Sequence, residues 1–322
     1  MALPHALQCI MAVGDALMAT TNSASATAVP SGSHSIFEPT NAGSTESFKA
    51  SFDAKPFEFH HGLTTSHPLF NLPAIRRLLD VPAVKNSIAY DATDVRVDQR
   101  WETISQVKPP IEEVFDQIAT SRGWIMMRFV HRVPEYRAIL DACLDEVRRL
   151  SGHDVNQDEK SREAILFVTS PNRVTPYHID RECNFLMQVL GEKTISIFDR
   201  NDKEVVTEQE LETYWSRDNN AGVYKPQFQD RAFVSTMRPG TGVHIPVNFP
   251  HWVQNSDNVS VSLSISYQYK DWKRKNVYQA NYYLRKMGMN PTPPGQSAVL
   301  DYTKRVMIEA AHRGKRIIKP KK

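Results

Sequence analysis

Cysteine is nearly absent from this chain. The three residues present, Cys9, Cys143 and Cys183, are odd in number, far apart and without a CxxC pair. That pattern argues against a disulfide framework and a cysteine-based zinc site, and it points to a reducing, cytoplasmic setting. Long apolar runs are lacking as well. The stretch from Ala6 to Ala19 has the look of a weak signal peptide, but it has no basic leader, is interrupted by Asp15 and is too short to span a bilayer, so no membrane insertion is expected. Neither sign of charge dominates. The net charge is +3, and much of the excess sits at the end, in His312 to Arg316 and Lys319 to Lys322. Such a tail could meet nucleic acid, yet no nucleic-acid fold motif accompanies it, and a solvated charge run is the plainer reading. No internal repeat is visible.

What remains is an ordinary globular composition over 322 residues, enough for one large domain with extensions or for two modest ones. Residues 19–47 are dominated by Ser, Thr, Ala, Gly and Pro, so residues 1–47 are expected to form a disordered leader, with folding starting near Phe48. Residues 48–150 read as mainly helical: Leu72 to Leu79 and Val133 to Leu140 are Pro-initiated with apolar residues at helical spacing, and Met126 to Val130 adds one strand. From 151 to about 275 the texture changes to short β-rich runs between turn residues. Ala164 to Thr169 is one. Asn184 to Leu190 and Lys193 to Phe198 read as a hairpin joined through Gly191. Pro239-Gly240 turns the chain before Val243 to Pro246, and Val259 to Tyr267 alternates between an apolar face and a serine face. The serines either line an interior or face solvent. Between Asp199 and Met237 lies a long polar insert bearing Tyr214, Trp215 and Tyr224, either a lid or a loop with its own small core. Helical patterning returns over 276–322, notably from Val299 to Ala311. The predicted fold class is mainly β with helical additions.

The residues that carry chemistry begin with His178-Ile179-Asp180. On a strand, positions i and i+2 share a face about 7 Å apart, so both side chains can converge on one ion. A third ligand is supplied by His251 or, as the rival, by His244. His251 is preferred because it follows a turn, whereas His244 lies inside a strand, and because its His-x-x-x-Asn spacing to Asn255 resembles that of cupins. Two histidines and a carboxylate on one side of an octahedron leave neighbouring positions open, the arrangement suited to non-haem Fe(II). If the register continues from Asp180, Asn184 faces the same cavity. Lys193 opens the next strand beside Ile195 and Ile197, where an inward lysine is costly unless an anion meets it. His60, His61 and His67 have no carboxylate or cysteine at ligand spacing and are assigned to packing or surface roles.

Taken in order, Thr175-Pro176-Tyr177-His178-Ile179-Asp180, Asn184-Phe185, Gly191-Glu192-Lys193 and Ile245-Pro246 leading to His251 resemble the JmjC and cupin-like 2-oxoglutarate oxygenases. The resemblance spans roughly residues 164–270 and is nearest to the hydroxylase branch that includes the asparaginyl hydroxylase of hypoxia-inducible factor. It implies a double-stranded β-helix (jelly-roll) barrel, with Fe(II) held by His178, Asp180 and His251 and 2-oxoglutarate as co-substrate. It implies Lys193 and Thr175 at the distal carboxylate and Asn184 near the chelating end. Where that branch places an asparagine on the last barrel strand, this chain has Ser266. The implied activity is hydroxylation of a peptide, protein or small molecule, or demethylation by the same machinery. A non-enzymatic cupin that senses a small acid and a zinc-dependent isomerase or lyase are the rival classes. The prime substrate is left open, as is assembly into a homodimer.

Overall fold

The structure, a computed structural model, describes residues 38–39, 45–155, 162–268 and 274–318, with side chains described up to Arg313 in the last segment. Most of the expected leader, including the Ala6 to Ala19 stretch and Cys9, and the end of the basic tail lie outside the described residues.

Twelve strands are defined among the described residues. They are β1 (Glu38–Pro39), β2 (Phe57–His60), β3 (Ile88–Asp91), β4 (Trp124–Met127), β5 (Arg162–Thr169), β6 (Val174–His178), β7 (Cys183–Leu190), β8 (Lys193–Ile197), β9 (Phe233–Met237), β10 (Thr241–Ile245), β11 (His251–Asn255) and β12 (Ser260–Tyr267). They form an eight-stranded sheet in the order β1-β2-β10-β7-β12-β5-β4-β3 and a four-stranded sheet in the order β6-β11-β8-β9. Every pairing is antiparallel. Counting from β5 to β12, the first, third, sixth and eighth strands lie in one sheet and the second, fourth, fifth and seventh in the other. That alternation is a double-stranded β-helix, as the motifs implied.

Side-chain parity explains how the barrel closes. On β12, Val261, Leu263, Ile265 and Tyr267 enter a large core behind the bigger sheet, shared with helix α1 (Thr45–Ser51) and helix α2 (Pro134–Ser151). Ser260, Ser262, Ser264 and Ser266 take the opposite face and are buried too. The serines therefore line the barrel rather than face solvent: Ser262 donates to Gln188 Oε1 (2.7 Å) and Ser264 to Asn184 Oδ1 (2.8 Å). Between the sheets, Leu186, Ile195, Ile197, Met237, Val243, Ile245, Phe249 and Val253 make a second apolar cluster. Each such buried aliphatic side chain contributes about 1.5–3 kcal/mol relative to exposure.

The expected hairpin at Gly191 does not form. β7 pairs with β10 and β12, whereas β8 pairs with β11 and β9. Both strands carry an apolar inner face, and two such faces are buried by folding one strand over the other rather than alongside it. Gly191 makes the crossing turn at φ +72°, where a Cβ would collide with the carbonyl oxygen of Val259 and the side chain of Asn258.

The region expected to be mainly helical also supplies β2, β3 and β4, which extend the larger sheet at both ends. The strand read at Met126 to Val130 lies two residues earlier, because Phe129 adopts a left-handed conformation (φ 57°) and starts a short 3-10 turn. The polar insert folds as helix α3 (Glu208–Ser216), opened by a Thr207/Glu210 capping box. Leu211, Tyr214 and Trp215 pack with Ile179, Val206 and Tyr278 of helix α4 (Arg274–Lys286), so the insert has a small core of its own. Helix α5 (Ala298–Ile318) packs on α4. Cys143 and Cys183 are buried and unpaired. No helix among the described residues is long and apolar enough to cross a membrane.

The sheet crossing is testable by comparing two glycines of similar φ. Gly191→Ala is expected to lose upwards of 2 kcal/mol of stability, from left-handed strain and collision together. Gly288→Ala, at φ +82° with no atom within 4 Å of the added carbon, should lose only about 1 kcal/mol. Chemical denaturation of both variants decides it, and equal losses would contradict the close approach at Gly191.

Candidate metal centre

β6 ends at His178 and β11 begins at His251, and the two residues are cross-strand partners. Asp180 follows two residues after His178, with its backbone carbonyl accepting from Asn248 N–H (3.1 Å). One donor atom each from His178, Asp180 and His251 lies within 4.8 Å of the others. The His178 Nε2 to Asp180 Oδ1 separation is 4.0 Å and that from His251 Nε2 to Asp180 Oδ2 is 3.6 Å. Ligands at right angles on an ion bonded at about 2.0–2.2 Å stand about 3 Å apart, so small side-chain movements bring all three onto one cation.

Both histidines are oriented by the same local device. His178 Nδ1 meets the Pro176 carbonyl at 2.7 Å and His251 Nδ1 meets the Phe249 carbonyl at 3.0 Å, each two residues earlier in the chain. A carbonyl only accepts, so Nδ1 carries a proton in each ring and Nε2 is the atom turned towards Asp180. Burial, with the nearby His178 adding to it, pulls the His251 pKa down to about 4. The ring is therefore neutral, as a ligand must be, at neutral pH. Two imidazoles and a carboxylate fit a divalent first-row metal.

His244 is elsewhere. It lies on the opposite face of β10 from the barrel interior, fully buried, with Nδ1 donating to the Asn184 carbonyl and Nε2 accepting from Asp53 N–H, both at 3.1 Å. Phe52, Phe57 and Phe185 surround its ring, and burial pulls its pKa down to about 3. Both nitrogens are occupied, which removes it as a ligand. His61 is likewise engaged, through Thr241 O and Leu63 N–H.

The remaining residues singled out from the sequence also face the barrel interior. Lys193 is only 4% exposed, and its ammonium has no hydrogen-bond or ion-pair partner among the described residues. Burial pulls its pKa from 10.5 down to about 7. It lies across from Asn255 and Met237, four positions along β8 from Ile197, the cross-strand partner of His251. Four strand residues span about 13 Å. Thr175 Oγ1 accepts from the Trp124 indole (3.1 Å), which leaves its own proton to donate elsewhere. Asn184 spends its oxygen on Ser264, while its amide nitrogen has no protein partner among the described residues; Ser266 is its cross-strand neighbour. Asn255 is pinned by hydrogen bonds to Thr169 Oγ1 and Ser170 O, both 2.7 Å.

Two tryptophans escaped the sequence reading. Trp101 stands edge-on to His178 at 6.2 Å and lies 5.0 Å from Trp124, whose ring reaches Phe167 at 6.0 Å. Together they wall one side of the centre. The Trp101 segment is tied to the insert: Arg100 bonds Asp218 (2.8 Å) and the Asn220 carbonyl (3.0 Å), and Asn220 donates to Glu102 (2.6 Å). Asn219 in turn accepts from Arg181, beside Asp180 (2.6 Å). Nothing local in the sequence marks Trp101, because its contacts are all made by distant segments.

No family model matches the chain. Among solved structures, it is similar to YcfD, a ribosomal oxygenase from Escherichia coli, at 11% identity and a TM-score of 0.47 over 86% of this chain and 67% of that one. YcfD in complex with cobalt and 2-oxoglutarate matches at 12% identity and a TM-score of 0.45, over 86% and 68% of the two chains. Peruvianin-I, a cysteine peptidase from Thevetia peruviana latex, matches at 15% identity and a TM-score of 0.24 over 34% of this chain and 52% of that one. These likenesses are slight, and the chemistry of the site rests on its geometry.

Replacing His178, Asp180 or His251 by Ala is expected to weaken Mn(II) or Co(II) binding by at least 100-fold in proteins that melt near the wild-type temperature. His244→Ala should do the reverse: metal binding survives, while stability falls by about 2–4 kcal/mol through the cavity and the unpaired polar groups it leaves. Metal titration followed by calorimetry on each variant checks both, and loss of metal binding in a folded His244→Ala protein would mean that the third ligand is misassigned.

Proposed function

We propose that this protein is an Fe(II)- and 2-oxoglutarate-dependent dioxygenase, acting as a hydroxylase of a peptide, protein or small-molecule substrate. The observation that carries the reading is the coexistence, inside one barrel, of the His178/Asp180/His251 donor set and a buried lysine with no partner among the described residues. The donor set alone would also suit zinc. A zinc isomerase or lyase, however, has no need of a cation stranded deep in the barrel, and that cation fits the far carboxylate of a dicarboxylate chelator.

Iron bound at the triad would supply dioxygen activation and the oxidative decarboxylation of 2-oxoglutarate to succinate and carbon dioxide, coupled to insertion of a hydroxyl group into the substrate. The residues of the chain provide geometry and charge. His178, Asp180 and His251 occupy one side of the coordination sphere and leave the other for co-substrate and oxygen. Lys193 meets the distal carboxylate as an ammonium, and Thr175, its oxygen already engaged by Trp124, directs its proton to the same group. The amide nitrogen of Asn184 serves the chelating end, and the small Ser264 and Ser266 leave room for the co-substrate. Trp101 and Trp124 limit water beside His178. A sensor of the same fold would also bind a small acid, so turnover separates the two: metal-loaded protein in air should release succinate, slowly alone and faster with substrate.

The unpartnered lysine generates a test in which function and stability move in opposite directions. Lys193→Met keeps volume and removes the buried amine, so the unliganded protein should melt several degrees higher while 2-oxoglutarate affinity falls by 30-fold or more. The wild-type lysine, with a folded pKa of about 7 against an ordinary 10.5, is neutral when folded and charged when unfolded between those values. The unfolded chain then binds more protons, so this group makes stability rise with pH across that window. Binding of 2-oxoglutarate must take up a proton above about pH 7, so affinity should fall as pH rises from 7 to 9. Anaerobic calorimetric titration of Mn(II)-loaded wild type and variant from pH 7 to 9 measures the affinities and thermal unfolding over the same range measures the stabilities; unchanged affinity in Lys193→Met would overturn the assignment.

A further inference from the structure

The segment that carries two of the three donor residues is gripped from behind by the polar insert. His178 and Asp180 turn towards the centre, whereas Ile179 and Arg181 turn the other way, into the small core built on α3. Ile179 packs there with Leu211, Tyr214 and Trp215, and Gly222 lies so close that an added Cβ would stand 3.0 Å from the Ile179 side chain. The Arg181 guanidinium lies over the Tyr214 and Trp215 rings at 5.1 and 5.2 Å and donates to the Tyr214 carbonyl (3.1 Å).

Asp180 needs such support because the ladder of β6 with β11 ends at His178 and does not reach it. The loop between β10 and β11 does. Asn248 N–H donates to the Asp180 carbonyl (3.1 Å), and Asn248 Oδ1 accepts from the Trp215 indole of α3 (3.0 Å). An indole N–H only donates, so it is the amide oxygen that faces Trp215. Asn248 is only 4% exposed and holds φ +64°, a left-handed conformation that asparagine tolerates better than most residues. On either side of it the loop is pinned: Val247 N–H donates to Asp53 (2.9 Å), and the Phe249 carbonyl accepts from His251 (3.0 Å). One residue thus joins Asp180, the loop that orients His251, and the insert.

We propose that Trp215 and Asn248 are positioning residues of the metal centre, and that the insert is the brace that sets Asp180 in place relative to the two histidines. The proposal rests on the reading of His178, Asp180 and His251 as metal ligands. Neither positioning residue offers an atom to the donor set; both act through the backbone of Asp180. A ring that served only the core of the insert would need no polar partner, and phenylalanine would fill the same place against Tyr278, on which Trp215 stacks at 6.2 Å. The indole instead spends its proton on a buried amide bonded to a ligand residue, and a buried pair of that kind holds its members in one geometry.

Trp215→Phe keeps a ring in the core and deletes the donor, whereas Asn248→Gly keeps the left-handed backbone and the N–H to Asp180 and deletes the acceptor. Each is expected to weaken Mn(II) binding about 10-fold, the scale of losing a group that orients a ligand. Each should also shift the visible absorption of the Co(II)-loaded protein, which reports ligand geometry. Because both remove the same bond, the double variant should bind no more weakly than the weaker single. Gly288→Ala, destabilised outside the brace, should keep the wild-type affinity and spectrum. Wild-type affinity and an unaltered Co(II) spectrum in both single variants would overturn the brace and leave the donor set standing. Equal losses of affinity in Gly288→Ala would overturn it too, by reducing the effect to stability. A wild-type protein that binds neither ion would overturn the donor set and the brace together.

Discussion

Everything at the centre depends on one strand pairing. β6 and β11 come from segments far apart in the chain, yet their antiparallel register sets His178 directly across from His251. Each imidazole is then held by a carbonyl two residues earlier, so the ring direction is fixed by backbone geometry that any shift of the sheet would carry along. The smaller sheet therefore acts as the jig for the donor set. Asp180 completes it from the turn after β6, anchored through its carbonyl to Asn248 N–H.

The same barrel holds a group that works against its own stability. Lys193 sits beside Ile195 and Ile197 in the apolar layer between the sheets, and burial drives its pKa down to about 7 rather than supplying a counter-charge. Two arginines are treated differently. Arg173, equally buried, has Asp91 at 2.6 Å, and the half-buried Arg128 has Glu163 at 2.6 Å. That contrast, with Lys193 unpaired among the described residues, is what supports the proposed anion site. On the proposed reading, the desolvation cost incurred in the unliganded state is offset when that anion arrives, so the lysine would add selectivity as well as affinity.

Much of this site was legible in the sequence because its signals are local. The His178-Ile179-Asp180 step follows from the two-residue period of a strand, and the serine alternation from Ser260 to Ser266 correctly marked a strand with one apolar and one small polar face. Which face met solvent could not be read, since both are buried. Gly191 was legible as a turn but not as a crossing between sheets, because local sequence sets the backbone bend and not the partner of the strand beyond it. β4 was misplaced by two residues since four residues are too few to show a period, and Phe129 takes a left-handed conformation that no local pattern announces. Trp101 and Trp124 were invisible for a further reason: they reach the centre only through tertiary packing against His178 and Thr175.

If the metal centre and Lys193 bind the two ends of one co-substrate, as proposed, the two sites are thermodynamically coupled. The direct measurement is the affinity of the wild-type protein for 2-oxoglutarate without oxygen, with and without saturating Mn(II), paired with its Mn(II) affinity with and without 2-oxoglutarate. The account predicts that metal raises 2-oxoglutarate affinity by at least tenfold and that 2-oxoglutarate raises metal affinity by the same factor, as linkage requires. Identical 2-oxoglutarate affinities in the presence and absence of metal would contradict it.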